Sequence, residues 1–124
     1  MLTNQQIKNI KQVEKIIFTT CNNNKPRSIW VIPSRIESDK FILSNIQMNK
    51  SFENISKNPK CFINVLIPEQ DDLQYKIDGT AEIFNSGKLF EEIKNYEESE
   101  NLPEELKVNA IIIVNINNVE ESNG

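Results

Sequence analysis

The segment from Ser44 to Asn54 carries the residues best suited to chemistry in this chain. Its sequence, SNIQMNKSFEN, leads from the end of a predicted strand through a short polar loop into a predicted helix. Free backbone amides and the positive end of the helix dipole attract phosphate at such a helix start. Lys50 in the first turn opposes that dipole by roughly a few tenths of a kcal/mol unless an anion is bound. Asn49 or Ser51 can cap the helix and also donate to a phosphate oxygen. The pattern is consistent with a phosphate site, but helix starts with Asn and Lys are common, so an ordinary solvated helix start is the alternative.

The charge distribution supports a local anion site. The chain has 14 basic and 18 acidic side chains and a net charge of −4. Residues 25–60 hold seven cations and three anions, a net charge of +4, whereas the rest of the chain carries −8. Both arginines, Arg27 and Arg35, lie in this basic window. The window is interpreted as an anion site in an otherwise acidic protein, and the alternative is a chance grouping of solvated lysines.

Missing residue types exclude several function classes. The chain has no histidine, which excludes Ser-His-Asp and Cys-His catalysis and zincin-type metal sites. Its three glycines cannot build a phosphate-binding P-loop or a GxGxxG dinucleotide loop. Cys21 and Cys61 stand in apolar runs and are predicted to be buried, reduced thiols of a cytoplasmic protein rather than a disulfide.

The same reasoning argues against membranes and nucleic acids as partners. No apolar stretch approaches the roughly 20 residues that span a bilayer, and the polar, amphipathic N-terminus is unlike a secretory signal. A sequence pI of about 4.9 argues against general nucleic-acid binding.

Hydrophobic periodicity predicts one mainly β, α+β domain over residues 1–124. Thr3 and Gln6 fit a capping box that opens a short helix. Strict alternation between Leu73 and Phe84 predicts a strand with one buried face, and Gly79 in its middle predicts a bulge or a close backbone approach. The other predicted strands are Lys15–Cys21, Arg27–Ile36, Lys40–Ser44, Lys60–Ile67 and Ala110–Val119, and the other predicted helices are Asn49–Asn58, Gly87–Glu98 and one that starts at Leu102–Glu105. Together these elements predict six strands in a small antiparallel barrel with helices at its ends.

Three segments in order resemble the pyridoxamine 5′-phosphate oxidase-like superfamily of split β-barrels that bind flavin mononucleotide (FMN), and most closely its short single-domain members. They read KPRSIWV, KFILSNIQMNKSFENISKNPKCFINVLI and YKIDGTAEIF, and the resemblance extends from about Lys15 to Val119. It implies a six-stranded antiparallel split barrel with short flanking helices. It also implies a homodimer that holds two FMN molecules at the subunit interface.

The resemblance also implies roles for individual residues. Arg27 and Lys50 would pair with the flavin phosphate. Hydrogen bonds to phosphate or ribityl groups would come from Ser44, Asn45, Asn49 and Ser51. The isoalloxazine ring would be lined by the backbone of Ser28, Ile29 and Trp30. If Arg27 reaches the phosphate, strand alternation turns Ile29 and Val31 toward the flavin and predicts that Trp30 fills the barrel core.

Two departures from the family pattern limit the activity that the resemblance implies. Pyridoxamine-phosphate oxidases commonly use arginine and histidine near the C-terminal end to bind substrate, but no arginine follows Arg35 and histidine is absent. Haem-degrading relatives commonly use histidine as well. The resemblance therefore implies an FMN-dependent oxidoreductase with an unknown acceptor, and a nicotinamide cofactor, NAD(P)H, is one candidate electron donor.

Two alternatives remain open from the sequence. A flavin-free split barrel could serve as a dimeric binding module without catalysis. An OB-like barrel could bind single-stranded nucleic acid, but that function requires aromatic residues interleaved with basic ones on one sheet face. The basic window contains only three aromatic residues, Trp30, Phe41 and Phe52.

Overall fold

A computed structural model describes residues 1–46, 48–98 and 107–123. The helices and strands of these residues lie in one α+β arrangement. The helices are α1 (Asn4–Lys11), α2 (Lys50–Lys57) and α3 (Lys88–Glu97), and the strands are β1 (Ile16–Asn22), β2 (Lys25–Val31), β3 (Arg35–Ile36), β4 (Lys40–Ser44), β5 (Lys60–Ile67), β6 (Leu73–Phe84) and β7 (Ile111–Ser122). The predicted helix start at Leu102–Glu105 lies outside the described residues.

The strands of the described residues form one antiparallel sheet in the order β2-β1-β5-β6-β7-β4-β3. The prediction of a mainly β split barrel with short flanking helices is confirmed. The sheet has seven strands rather than six, and it is not closed, so β2 and β3 are its edges.

The extra strand results from a break in the predicted strand Arg27–Ile36. β2 pairs with β1 and ends at Val31, and Pro33, which has no amide donor, follows two residues later. The Ser34 amide then donates to the Ile42 carbonyl at 2.8 Å, and β3 pairs with β4. The segment around Pro33 therefore carries the chain from one end of the sheet to the other.

The main core lies on the face of the sheet that α1 and α2 cover. Tyr75 and Phe18 are among its largest fully buried side chains. The Tyr75 hydroxyl accepts a hydrogen bond of 2.8 Å from Asn9 of α1, which satisfies both buried polar groups. A second, smaller cluster includes Phe90 and Ile93 of α3 and covers the other face of β4.

Local signals explain where α1 begins and where the register between β6 and β7 shifts. Thr3 and Gln6 form both hydrogen bonds of the predicted capping box, at 3.1 and 2.9 Å. The register between β6 and β7 shifts between Asp78 and Gly79, as the glycine predicted. Among the described residues, no helix combines the length and the apolar character needed to cross a bilayer.

Candidate functional site

The N-terminal end of α2 follows directly from the end of β4. The backbone of Asn49, the residue before the helix, has a φ of 48°, a left-handed value that asparagine adopts more readily than most residues. Its side chain makes no capping hydrogen bond, so the expectation that Asn49 caps α2 is not met. The side chain of Asn49 instead lines two neighbouring cavities.

Ser51 lies in the first turn of α2 and is completely buried. Within the part of the chain that the structure describes, its Oγ has no hydrogen-bond partner. An unpaired buried hydroxyl costs roughly 1–3 kcal/mol.

Arg27 and Lys50 line the same small cavity, of about 330 Å³, although they belong to β2 and α2. We call it the cationic cavity; its lining residues are Asn22, Asn23, Lys25, Pro26, Arg27, Lys50 and Asn54. None of these residues is acidic and three are cations. The cavity wall therefore favours an anion.

Arg27 and Lys50 have few partners within the described residues that would compete with a ligand. Arg27 makes no ion pair or side-chain hydrogen bond with any residue in 1–46, 48–98 or 107–123. The Lys50 Nζ lies 3.6 Å from Glu53 Oε1, and both side chains are at least half exposed. Exposed pairs of this kind contribute about 0–1 kcal/mol, so both cations are available to a ligand.

A second cleft, of about 470 Å³, adjoins the cationic cavity, and Arg27 lines both. We call it the β2 cleft, because residues 29–32 at the end of β2 form one wall. Of the residues predicted for the site, it contains Arg27, Ile29, Trp30, Ser44 and Asn49. Six of the nine predicted residues therefore line one or both of these adjoining spaces.

The structure puts the other three predicted residues elsewhere. Ser28 points away from the core, and its Oγ lies 2.7 Å from Thr19 Oγ1. Asn45 is buried, and its amide donates to Asn109 at 2.6 Å and accepts from the Met48 amide at 3.3 Å. Ser51 is buried in α2 and does not line the cationic cavity. The Asn45 amide group is thus engaged within the protein on both sides.

The prediction that Trp30 fills the core is wrong. Trp30 is 66% exposed and its neighbour on the same face, Ile32, is 59% exposed. Ile29 packs against the core and Val31 is buried in it. Both faces of this edge strand carry apolar residues, so alternation alone could not identify the inner face.

Sequence reasoning missed Ser34 and Glu97, which also line the β2 cleft. The Ser34 hydroxyl donates to Glu97 Oε1 at 2.7 Å and lies 2.6 Å from the Ser44 hydroxyl. A hydroxyl has one proton, so Ser44 donates to Ser34 and can only accept a hydrogen bond from a ligand. No local motif signals this contact, because Ser34 and Glu97 are 63 positions apart.

The cysteines lie outside these spaces. Both are free, but only Cys61 is buried; Cys21 is partly exposed, so its predicted burial is corrected. Burial raises the pKa of the Cys61 thiol to about 12. Neither thiol lines the cationic cavity or the β2 cleft.

Solved structures similar to this chain share its fold. HupZ of Group A Streptococcus is 21% identical, covers 98% of this chain and 94% of its own, and gives a TM-score of 0.83. An FMN-binding protein of Syntrophomonas wolfei is 14% identical, with coverages of 94% and 88% and a TM-score of 0.64. An F420 reductase is 14% identical, with coverages of 96% and 98% and a TM-score of 0.73.

Sequence comparison extends this likeness from fold to family. The curated proteins gave no match to the chain. The family model of pyridoxamine 5′-phosphate oxidase, however, matches residues 3–122, nearly the full length. The chain therefore belongs to the pyridoxamine 5′-phosphate oxidase family.

Proposed function

We propose that this chain binds FMN non-covalently and is an FMN-dependent oxidoreductase, distinct from an authentic pyridoxamine-phosphate oxidase. The observation that carries the proposal is the cationic cavity, which Arg27 and Lys50 both line and which has no acidic residue in its wall. The family membership supports a flavin, and a structural neighbour is named as an FMN-binding protein. The absence of histidine and of any arginine after Arg35 argues against pyridoxamine phosphate as substrate.

The residues of the site fit a phosphate monoester. A flavin phosphate carries close to two negative charges, which Arg27 and Lys50 would balance, and each charge-assisted hydrogen bond contributes about 1.5–3 kcal/mol. The amide of Asn54, which also lines the cavity, is a further polar group beside the two cations. The phosphate would therefore occupy the cationic cavity.

The β2 cleft would take the rest of the molecule. Ser44 faces it as an acceptor, so a ribityl hydroxyl, which can donate, suits Ser44 better than a phosphate oxygen does. Ile29 and Trp30 offer apolar surface to the isoalloxazine ring. When bound, FMN would supply the hydride or electron transfer, and the protein would control access and orientation.

The proposal includes a homodimer, in which a second copy of the chain packs against this site. β2 is an edge strand, and Trp30 and Ile32 leave apolar surface exposed beside the cleft. A homodimer would cover both features. We further propose a cytoplasmic location, consistent with two free thiols, and a nicotinamide nucleotide as the first electron donor to test.

Flavin titration of matched variants tests the proposal. We expect purified protein to be yellow or to take up FMN, with fluorescence quenching as the binding signal. Arg27→Ala and Lys50→Ala should each weaken FMN binding by about tenfold or more, and should weaken riboflavin binding much less.

Two controls isolate the cavity. Lys57→Ala removes a lysine of the same helix that is equally exposed and also pairs with Glu53, at 3.5 Å. Arg35→Ala removes the other arginine, which pairs with Glu92 outside both spaces. Both controls should keep wild-type affinity. A colourless protein that cannot be loaded with FMN would overturn the proposal and favour a flavin-free dimeric module.

A further inference from the structure

Thr20 and Asn54 form a buried hydrogen bond between the sheet and α2. The Asn54 Nδ2 donates to Thr20 Oγ1 at 3.2 Å. Thr20 is 1% exposed and Asn54 is 5% exposed. A bond between two buried polar side chains is costly to break, because the group that remains is left without a partner.

Each partner in this bond neighbours one cation of the cationic cavity, Arg27 or Lys50. In the β1–β2 register Thr20 lies directly opposite Arg27, and residues opposite each other in an antiparallel pair share a face of the sheet. Asn54 follows Lys50 by four positions, which puts both on neighbouring turns of one side of α2. Asn54 also lines the cationic cavity.

A second hydrogen bond fixes the other end of α2. The Asn58 Nδ2 donates to the Cys21 carbonyl of β1 at 2.9 Å. The two bonds together attach α2 to β1 at its middle and at its C-terminal end. Loss of the Thr20–Asn54 bond would therefore remove the side-chain hydrogen bond to the sheet that lies nearer to Lys50, while the C-terminal attachment remains.

We propose that Thr20 and Asn54 are positioning residues for the anion site. Their hydrogen bond holds the N-terminal half of α2, with Lys50, at the separation from Arg27 that a phosphate group requires. Neither side chain needs to touch the ligand for this role. The inference rests on the proposed function, since it assumes that the cationic cavity receives the phosphate of FMN.

The test compares FMN with riboflavin, which lacks the phosphate. Thr20→Val removes the hydroxyl at nearly constant shape. We expect the ratio of the riboflavin Kd to the FMN Kd to fall about five- to tenfold, with riboflavin affinity nearly unchanged. Thr20→Ser restores the hydroxyl and should restore most of the ratio. Asn54→Leu removes the donor from the helix side and should lower the ratio as Thr20→Val does.

The chain offers a control pair of the same residue types at an exposed position. Asn117 Nδ2 donates to Thr80 Oγ1 at 2.8 Å, another asparagine–threonine pair, which joins β7 to β6. Thr80→Val should leave the ratio at its wild-type value. If Thr20→Val lowers both flavin affinities equally, the bond has only a structural role and the positioning inference is wrong.

A measurement without flavin separates this inference from the proposed function. Amide hydrogen exchange of the flavin-free protein should accelerate in the first half of α2 in Thr20→Val but not in Thr80→Val. Unchanged exchange there would overturn the inference even if the wild type binds FMN. Conversely, a wild type that binds no flavin overturns the proposed function, and then the exchange result alone decides whether the bond positions Lys50's helix.

Discussion

Arg27 and Arg35 lie only eight positions apart in one basic window, but their ionic surroundings differ. Arg35 forms a 2.9 Å ion pair with Glu92 of α3. Arg27 lines a cavity with two lysines and no acid, and its guanidinium has no ionic partner among the described residues. A cation kept among other cations is electrostatically unfavourable unless an anion joins them. This contrast makes Arg27, rather than Arg35, the better indicator of a ligand.

Cys61 and Cys21 should differ in reactivity. Burial raises the pKa of the Cys61 thiol from 9.0 to about 12, so at pH 9 this thiol stays almost entirely protonated in the folded state. Because the pKa of Cys61 is higher in the folded state than in the unfolded state, burial of the protonated thiol contributes fully to stability below pH 9. This contribution to the free energy of unfolding decreases as the pH rises from 9 toward 12. Iodoacetamide at pH 8–9, followed by peptide mass spectrometry, should modify Cys21 first. Equal labelling of both thiols in the native protein, as expected only in denaturant, would contradict the burial of Cys61.

At the scale of elements, the sequence predicts structure best where one signal dominates. β6 has the predicted bounds Leu73–Phe84 because alternation there is uninterrupted, and α1 begins after Thr3 because its capping box is complete. The orientation of β2 is harder to predict. Ile29 and Val31 on one face and Trp30 and Ile32 on the other are all apolar, so either face could be the inner one. Only the packing of the whole sheet decides that orientation, so the Trp30 side chain was predicted on the wrong side.

In the candidate site, too, the local features are predictable from the sequence and the contacts between distant residues are not. The order of β4, loop and helix predicts a helix over Asn49–Asn58 with Lys50 in its first turn, and α2 begins at Lys50. Lys50 and Arg27 line one cavity. The contacts of Ser34 with Glu97 and of Thr20 with Asn54 join distant parts of the chain. No local spacing rule encodes such contacts, so the sequence could not reveal them.

Gly79 should be sterically required at the bulge between β6 and β7. A Cβ at this position would lie 2.5 Å from Val114 Cγ1 and 3.1 Å from the Asn115 carbonyl oxygen. Gly79→Ala should therefore lower the free energy of unfolding by about 1–3 kcal/mol, measured by urea denaturation. The double variant Gly79→Ala with Val114→Ala removes the closest contact. It should therefore lose less stability than the sum of the losses in the two single variants. Strict additivity would show that the Val114 contact is not the cause.

For the whole molecule, the open sheet leaves an unprotected edge. Among the strands that the structure describes, β2 pairs only with β1. Trp30 on its outer face and Ile32 directly after it are exposed next to the β2 cleft. Exposed strand edges with apolar side chains are prone to pair with other chains, and proteins usually cover or charge them. Covering this edge and the cleft with a second copy would protect the strand and would exclude water from the proposed ring site in one step.

The proposed homodimer can be tested with the chain's own fluorophore. Trp30 is the only tryptophan, so its emission reports directly on the β2 face. Light scattering should give about twice the 14.3 kDa chain mass for the wild type. Ile32→Lys, which adds a charge beside Trp30, should give the monomer mass, shift Trp30 emission to the red and weaken FMN binding. Leu66→Lys, at an exposed apolar position on β5, should change none of these properties. A monomeric wild type, or an Ile32→Lys variant that stays dimeric with unchanged emission, would mean that this edge is not where two copies meet.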